Sequence, residues 1–256
     1  MSFTVENLEF CALIIVRVSM IVYLAPFFSM NTVPRRVKAG IALFFSVLLV
    51  GTMKYEPLVY SGILGYMALV MKEAVTGALI GFACNACTYI LSFSGQILDM
   101  EIGFSMVQVM DPATRNTATI SGNLLSYLVM LILLVSNMHY FIIQALYDSF
   151  KVIPLGGAQL DGNLYLIMLD YMINYFVIAF RIILPVFACT LVINVVLGIL
   201  AKVAPQMNMF VIGMQLKVFV GLMVLTFMVA MLPGISDFLF TQMRTFTNSI
   251  IEAITP

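Results

Sequence analysis

Long stretches without a single charged residue dominate this sequence, and short polar breaks separate them. The charge-free runs cover residues 18–34, 39–53, 58–71, 74–98, 116–147, 182–201 and 218–236. Because a membrane-spanning helix needs about 20 predominantly apolar residues, runs of this length predict spanning helices. With their flanks they predict an all-α, polytopic membrane protein of about six long, kinked helices near residues 8–30, 34–53, 58–98, 112–150, 162–202 and 208–232.

Proline, glycine and aspartate mark the expected helix boundaries. Proline fits the first turn of a helix, so Pro34 is predicted to open the second helix and Pro112 the fourth. Asp111 can cap the free amides of the fourth helix, and Arg115 lies four residues further on, within pairing distance. The fourth helix is predicted to end at Pro154, Gly156 and Gly157, the fifth to begin at Asp161, and the sixth to end at Pro233-Gly234.

The C-terminal residues change from a uniformly apolar pattern to an amphipathic one. Polar residues, Asp237 and Arg244 among them, fall mostly on one side of a helical projection. The apolar positions on the other side are Ile235, Phe238, Leu239, Met243, Phe246 and Ile250. The pattern favours a helix that lies on the membrane surface, slightly over one that docks a partner.

Composition excludes a soluble protein and argues against nucleic-acid binding. Hydrophobic residues make up 62% of the chain and charged residues 9%, against about 25% charged residues in soluble domains. Lipid or partner helices must therefore cover the apolar surface. The net charge is zero and no basic run stands out, so no nucleic acid is expected as a partner. Glu6 and Glu9 stand where a signal peptide would be positive, so the first helix is expected to be retained.

The inventory of reactive side chains argues against an enzyme. His139 is the single histidine, and no His-Glu-x-x-His run or paired intramembrane aspartate is present. We therefore expect no catalytic residue, no metal and no cofactor. Cys84 and Cys87 match Cys-x-x-Cys but lack the strand–helix context of a redox motif. All four cysteines lie in apolar segments, which argues against a disulfide framework.

A stripe of small residues follows one face of the third predicted helix. Its members step by three or four positions: Gly77, Gly81, Cys84, Thr88, Ser92 and Gly95. Small residues let helix backbones approach closely in a membrane, where helices associate without the usual hydrophobic drive. The stripe therefore predicts tight helix packing, with a packing role for Cys84.

Ionisable residues within the apolar helices form a second unusual set. Each costs roughly 2.5–3.5 kcal/mol on insertion scales and so needs a compensating interaction. Lys72 and Glu73 are adjacent and point in different directions, so they cannot simply satisfy each other. Buried charges paired with other helices or chains, and charges in aqueous or headgroup zones, are both consistent with the sequence. The set comprises Arg17, Lys72, Glu73, Asp170 and Arg181, together with Lys217, which stands between Gly213 and Gly221 at spacings of four on a predicted packing face.

The segment 99–116 joins two long helices but is apolar, unlike a polar turn. Gly103 is the expected hinge, and the residues that follow are Phe104, Ser105, Met106, Val107, Gln108, Val109, Met110, Asp111 and Pro112. At membrane depth, irregular backbone is tolerated only inside protein or along a cavity. An apolar, Met-rich constriction can block ions by dewetting and still yield to a passing chain. A plug and a statically packed loop are both consistent with these residues.

A series of short motifs runs through the chain from about residue 10 to residue 225. In order, they are Arg17, Ala25-Pro26, residues 33–40, Gly95-Gln96, Gly103-Phe104-Ser105, Asp111-Pro112, Asn137-Met138-His139, Ser149-Phe150, Pro154 with Gly156-Gly157, and residues 204–213 leading to Lys217. Together they resemble the FliR family, membrane components of the flagellar type III export gate. The aromatics common in that family ahead of Asp-Pro are replaced here by Met106, Val107, Val109 and Met110, which keep an apolar seal but not ring stacking.

The resemblance implies a structural and gating subunit of a protein-conducting channel that passes unfolded export substrates. It would lie in the bacterial inner membrane, multi-pass, within the flagellar basal body. The implied partners are FliP-like and FliQ-like subunits in a helical ring that this chain closes as a single copy. An FlhB-like protein, the basal-body ring and membrane lipids would surround them.

The resemblance also implies a division of the chain. Residues 1–153 would form a FliP-like helical part that includes the plug at 103–112, and residues 154–161 would connect it onward. Residues 162–256 would form a FliQ-like helical hairpin with the C-terminal amphipathic helix. The family's assembly lies largely at the periplasmic level, which argues against six ordinary membrane spans.

Three alternatives stay open on sequence grounds. The homologous subunit of a virulence injectisome is poorly separated from a flagellar subunit by sequence. A small-solute transporter would need a polar midplane site or an inverted repeat, and neither is evident. An intramembrane enzyme is disfavoured because the catalytic pairs are missing.

Overall fold

The computed structural model describes residues 5–30, 32–53, 58, 60–105, 119–159 and 162–255. Within these ranges the regular elements are all α-helices, so the predicted all-α fold class is confirmed. They are α1 (Val5–Leu24), α2 (Arg35–Thr52), α3 (Gly62–Cys84), α4 (Ala86–Ile102), α5 (Ile120–Val135), α6 (His139–Val152), α7 (Gly162–Val203), α8 (Met209–Val229) and α9 (Leu232–Ile254).

Two of the long helices predicted from the sequence are each interrupted once. The third predicted helix divides at Asn85 into α3 and α4, and the fourth divides at residues 136–138 into α5 and α6. At the second break Asn137 has a φ of +58°, a left-handed conformation that asparagine adopts more readily than most residues. Both breaks lie inside charge-free runs, 74–98 and 116–147, so the absence of charges gave no sign of them.

The helix boundaries follow proline in most places. Helix α2 starts directly after Pro34, and α6 ends at Val152, just ahead of Pro154. The prediction that Pro233-Gly234 ends the sixth helix was wrong, because α8 ends at Val229 and both residues lie in the first turn of α9. Proline is tolerated there, since its missing N–H would have no partner in a first turn. The predicted boundaries at Asp111-Pro112 and Asp161, and Arg115, lie outside the described residues.

Four of the described helices are long and apolar enough to cross a membrane. They contain the stretches Asn7–Leu24, Gly62–Cys84, Gly162–Val203 and Phe210–Val229. The bent pair formed by α5 and α6 raises the number to five if it counts as one span. Helix α7 has 42 residues, which is about 63 Å of helix and twice the hydrocarbon thickness of a bilayer.

The chain folds as two compact units, each built from separate stretches of sequence. The first unit comprises Met1–Cys87, Asn137–Tyr171 and Phe240–Pro256, and the second comprises Thr88–Ser136 and Met172–Leu239. These units are defined by compactness, whereas the predicted limits 1–153, 154–161 and 162–256 came from the family resemblance. The FliP-like and FliQ-like division therefore stays a prediction.

The C-terminal helix α9 is amphipathic as predicted, but its apolar face packs on the chain itself. Met243, Phe246 and Ile250 are buried. In the first unit the Phe246 ring stacks on Tyr171, with ring centroids 3.9 Å apart, and meets Phe82 edge-on. The expected membrane-surface or partner-docking face is thus wrong for this stretch, because aromatic rings from α3 and α7 already cover it.

Candidate functional site

The predicted plug segment begins within the described structure and then leaves it. Gly103, Phe104 and Ser105 are described, whereas the plug residues 106–112 belong to the range 106–118 that lies outside it. Gly103 has a φ of +98°, a conformation that glycine adopts without steric cost. Its amide donates to the carbonyl oxygen of Asp99 at 3.1 Å, which closes the last turn of α4. The chain therefore leaves the helix at the glycine predicted to be a hinge.

Asp99, in the last turn of α4, bonds to the first turn of α5. Its carboxylate accepts hydrogen bonds from the amides of Ile120 at 2.6 Å and Ser121 at 3.0 Å, the first residues of α5. The first amides of a helix have no partner inside the helix, and a carboxylate there also compensates the positive helix end. Asp99 is 2% exposed, so its charge-assisted bond to the Ser121 amide is shielded from water, whereas the bond to the exposed Ile120 is part-buried. Asp99 thus fixes the end of α4 beside the start of α5.

A second contact between α4 and α5 lies next to the first. Gly95 and Gly122 are both buried, and a Cβ added to Gly95 would collide with the backbone of Gly122. The two helices therefore meet backbone to backbone, an approach that small residues permit. Both contacts belong to the second unit, and together they form what we call the loop stem: Gly95, Asp99, Ile120, Ser121 and Gly122.

A cavity of about 370 Å³ adjoins the Gly103 turn in the second unit. Its polar lining residues are Glu101, Ser105, Asn194 and Lys217. The carboxylate of Glu101 accepts a hydrogen bond from the Thr190 hydroxyl at 3.1 Å. The cavity therefore brings a carboxylate and an ammonium group, from different helices, to the base of the predicted plug.

The two glycines beside Lys217 pack against helices of the same unit. A Cβ added to Gly213 would lie 2.9 Å from the Leu197 side chain of α7. One added to Gly221 would lie 2.7 Å from the Ile102 side chain of α4. The packing face predicted around Lys217 is thus occupied within the chain, and the half-buried Lys217 side chain borders the cavity.

Arg17 and Glu73 form a buried ion pair in the first unit. Both side chains are 0% exposed, and Nε and Nη2 of Arg17 donate to the two carboxylate oxygens at 2.5 and 2.9 Å. Nη1 of Arg17 donates to the carbonyl oxygens of Ser149 and Ile153 at 3.1 Å each. The Phe150 ring centroid lies 4.4 Å from the guanidinium carbon. The bidentate geometry and additional acceptors compensate the desolvation of both charges.

The ion pair also holds the turn that follows α6. The Gly156 amide donates to the Glu73 carboxylate at 2.8 Å, and the exposed Lys72 donates to the Gly156 carbonyl at 3.4 Å. Gly156 has a φ of +75°, which the turn requires and which glycine adopts freely. Lys72 and Glu73 therefore do not satisfy each other but bond to opposite sides of one residue.

The small-residue stripe packs α3 against α1. A Cβ added to Gly77 would lie 2.5 Å from the Arg17 carbonyl oxygen, and Gly81 is similarly closed in by α1. Cys84 is buried, with its sulfur 3.8 Å from a threonine hydroxyl of α9. Thr88 lies beyond the Asn85 break and is half-buried. The first part of the stripe thus serves packing within the chain.

Three of the charges expected to be buried are exposed on the surface of this chain. Lys72, Asp170 and Arg181 all lie on outward faces of their helices. Of the two interpretations that the sequence left open for them, burial within this chain does not hold, because helical periodicity turns them away from the neighbouring helices. Arg181 makes no hydrogen bond or ion pair with any residue that the structure describes.

The sequence pointed to most of these charged side chains but not to the residues that they bond to. Arg17 and Glu73 are 56 residues apart, and Asp99 lies 21 residues before the first amide it caps. No local spacing rule links positions so far apart, because helix pair rules reach only three or four residues. Among the described residues, no group of three or more His, Cys, Asp or Glu side chains could hold a metal ion.

The fold defines a polytopic, α-helical membrane protein in which the Asp99 carboxylate joins the end of α4 to the start of α5. Residues 8–243 match the family described as bacterial export proteins, family 1. The chain belongs to this family.

Three similar proteins are each named flagellar biosynthetic protein FliR. The chain is similar to the flagellar biosynthetic protein FliR of Escherichia coli (strain K12), with 26% identity over 97% of this chain and 94% of that protein. The FliR of Bacillus subtilis (strain 168) is 29% identical over 83% of each chain. That of Aquifex aeolicus (strain VF5) is 24% identical over 82% of this chain and 81% of that protein. The resemblance found from the motifs is confirmed.

Proposed function

We propose that this chain is a structural and gating subunit of the flagellar type III protein export channel in the bacterial inner membrane. The observation that carries the proposal is the family match over residues 8–243, joined to relatives that cover nearly the whole chain under the name FliR. Those names are flagellar, which favours the flagellar system over a virulence injectisome. The four or five apolar helices supply the membrane anchorage that such a subunit needs.

The loop stem supports a sealing role for the segment that it carries. The chain leaves α4 at Gly103 and enters α5 at Ile120, and the Asp99 carboxylate accepts a hydrogen bond from the Ile120 amide. A plug has to resist ion leakage while closed and yield to a substrate chain when open. A segment with fixed ends and an apolar middle would meet both requirements, because only the middle has to move when a substrate chain passes.

The antiparallel arrangement of α7 and α8 supports the proposed FliQ-like part of the chain, residues 162–256. Gly213 of α8 meets Leu197 of α7, close to the connection at 204–208. Residues 1–153 would correspond to the FliP-like part. We propose FliP-like and FliQ-like subunits as the direct partners, with an FlhB-like protein and the basal-body ring around them.

Co-purification tests the proposed function. The chain is expressed with FliP-like and FliQ-like subunits, extracted in mild detergent, and isolated through a tag on the FliP-like subunit. We expect all three chains in one complex, with this chain at a single copy. A chain that purifies alone under these conditions, or that transports a small solute in liposomes, would overturn the proposal.

The substitution Lys217→Glu tests where this subunit meets its FliQ-like neighbour. It reverses a half-buried charge and adds a second carboxylate to the cavity that already holds Glu101. We expect a marked loss of the FliQ-like subunit from the complex, measured as its stoichiometry after purification. Lys202→Glu, at an exposed position near the end of α7, is the matched control. An unchanged complex with Lys217→Glu would place Lys217 outside the interface.

A further inference from the structure

A second cavity, of about 610 Å³, lies in the second unit where α7, the end of α8 and the start of α9 meet. Most of its wall is apolar, formed by side chains that include Ile182, Met228, Met231 and Phe238. Its volume lies within the range of small-molecule sites. Among the described residues that line it, Arg181 is the one that carries a charge.

Arg181 stands at one end of a hydrocarbon-length stretch of α7. The residues between Arg181 and Lys202 carry no charge, and these 20 positions make about 30 Å of helix, the thickness of a bilayer's hydrocarbon core. Helix α8 runs antiparallel beside this stretch, since Gly213 meets Leu197 near one end and Met228 shares the cavity with Arg181 at the other. Where this 20-residue stretch crosses the hydrocarbon core, Arg181 lies at the headgroup level of one leaflet.

The charge of Arg181 needs a partner from outside the described part of the chain. Its side chain is exposed and makes no hydrogen bond or ion pair with a described residue. A guanidinium group at the edge of an apolar helix is costly unless an anion or water compensates it. The planar guanidinium group matches phosphate oxygens in a bidentate fashion.

We propose that this cavity binds an anionic phospholipid, with its phosphate on Arg181 and part of one acyl chain against the apolar wall. A phospholipid joins the two features of the site in one molecule, an anion at headgroup level and an apolar tail that runs into the bilayer. Basic pockets between membrane helices bind anionic headgroups on the same principle. The proposal concerns the surface of α7–α9 and does not depend on the gate assignment.

Native mass spectrometry of the purified full-length chain in detergent tests this proposal by titration with phosphatidylglycerol. We expect Arg181→Gln to weaken binding about fivefold, which corresponds to the loss of one interfacial cation. Lys202→Gln, which removes an exposed cation away from the cavity, is expected to leave binding unchanged. Equal effects of the two substitutions would overturn the phosphate assignment.

Further arms separate the tail from the headgroup. A Cβ added to Gly234, which lines the cavity, meets nothing within 4 Å, so Gly234→Leu fills cavity space without touching the charge. We expect it to weaken phosphatidylglycerol binding as well. Diacylglycerol, which lacks the phosphate, is expected to bind more weakly than phosphatidylglycerol, and millimolar inorganic phosphate is expected not to displace the lipid.

Four further results would contradict the lipid assignment. Unchanged binding in Gly234→Leu, or displacement by inorganic phosphate, would reduce the site to an anion site without a tail. Equal binding of diacylglycerol would remove the role of Arg181. A photocrosslinker at Phe238 that labels a neighbouring subunit, in a complex that retains no phosphatidylglycerol, would identify the cavity as a protein interface.

Discussion

At the residue scale, this chain uses its few charges to fix helix ends and turns. Arg17 and Glu73 are fully buried and together contact α1, α3 and the turn after α6. The Asp99 carboxylate joins the end of α4 to the start of α5 by accepting hydrogen bonds from two backbone amides. Each of these three buried charges has several partners, because a buried ion with one partner rarely recovers its desolvation cost.

Removing one member of the buried ion pair should be far more damaging than removing both. Arg17→Ala leaves Glu73 as an uncompensated buried charge, which is expected to cost about 3–5 kcal/mol. The double substitution Arg17→Met with Glu73→Leu replaces the pair by apolar groups of similar size and should be milder. The thermal unfolding midpoint of the detergent-solubilised chain measures both. Lys72→Ala, at the exposed neighbour, serves as the control, and a double variant as unstable as Arg17→Ala would contradict the account.

Removing the Asp99 carboxylate should loosen the start of α5. Asp99→Ala removes the acceptor of the part-buried Ile120 amide and leaves the buried Ser121 amide unpaired, and the second loss costs roughly 1–3 kcal/mol. Hydrogen exchange at these two amides should accelerate by about tenfold or more, since local opening becomes easier. Asp148→Ala removes an exposed carboxylate of a surface pair and should leave their exchange unchanged. Equal exchange rates in Asp99→Ala and the parent chain would exclude the capping role.

At the element scale, helix packing depends on glycines at a few close approaches. A Cβ added to Gly77 or Gly81 would clash with α1, and one added to Gly221 would clash with a side chain of α4. Gly95 and Gly122 lie against each other. Gly40, by contrast, has no atom within 4 Å of an added Cβ. The same residue type is therefore essential at one position and replaceable at another, according to what lies opposite.

Matched glycine substitutions test this distinction. Gly95→Ala forces a methyl group into the backbone of Gly122 and should destabilise the chain by about 1–3 kcal/mol, the usual cost of overpacking. Gly40→Ala should be neutral or stabilise α2 by up to about 1 kcal/mol, because alanine has the higher helix propensity. The thermal unfolding midpoint and the detergent-extracted yield report both effects. Similar midpoints for the two variants would contradict the backbone contact.

The sequence predicted elements better than it predicted their breaks and partners. Apolar runs read with their flanks located α2, α7 and α8 closely, because a long and predominantly apolar stretch marks a long helix. The break at Asn85 was missed because apolar residues flank it on both sides. The apolar face of α9 was recognised, but its partner Tyr171 lies 75 residues away from Phe246, and periodicity carries no information on what covers a face.

At the scale of the whole molecule, the candidate site was located by the unusual character of one segment. An apolar stretch between two apolar helices predicted a special role for 103–112, and the chain leaves α4 at Gly103, which has a φ of +98°. The stem could not be predicted, because it depends on how α4 and α5 approach each other. The central claim is that this segment seals a protein-conducting channel while the stem holds its ends.

Ion conductance of the assembled complex in planar bilayers tests that claim most directly. Deletion of residues 103–110 removes the apolar segment and leaves the stem residues Gly95, Asp99 and Gly122 in place. We expect the complex to assemble with unchanged subunit composition and to conduct ions steadily, whereas the complex with the intact chain stays closed. An assembled deletion complex with the same low conductance as the intact one would contradict the assignment of 103–112 as the seal.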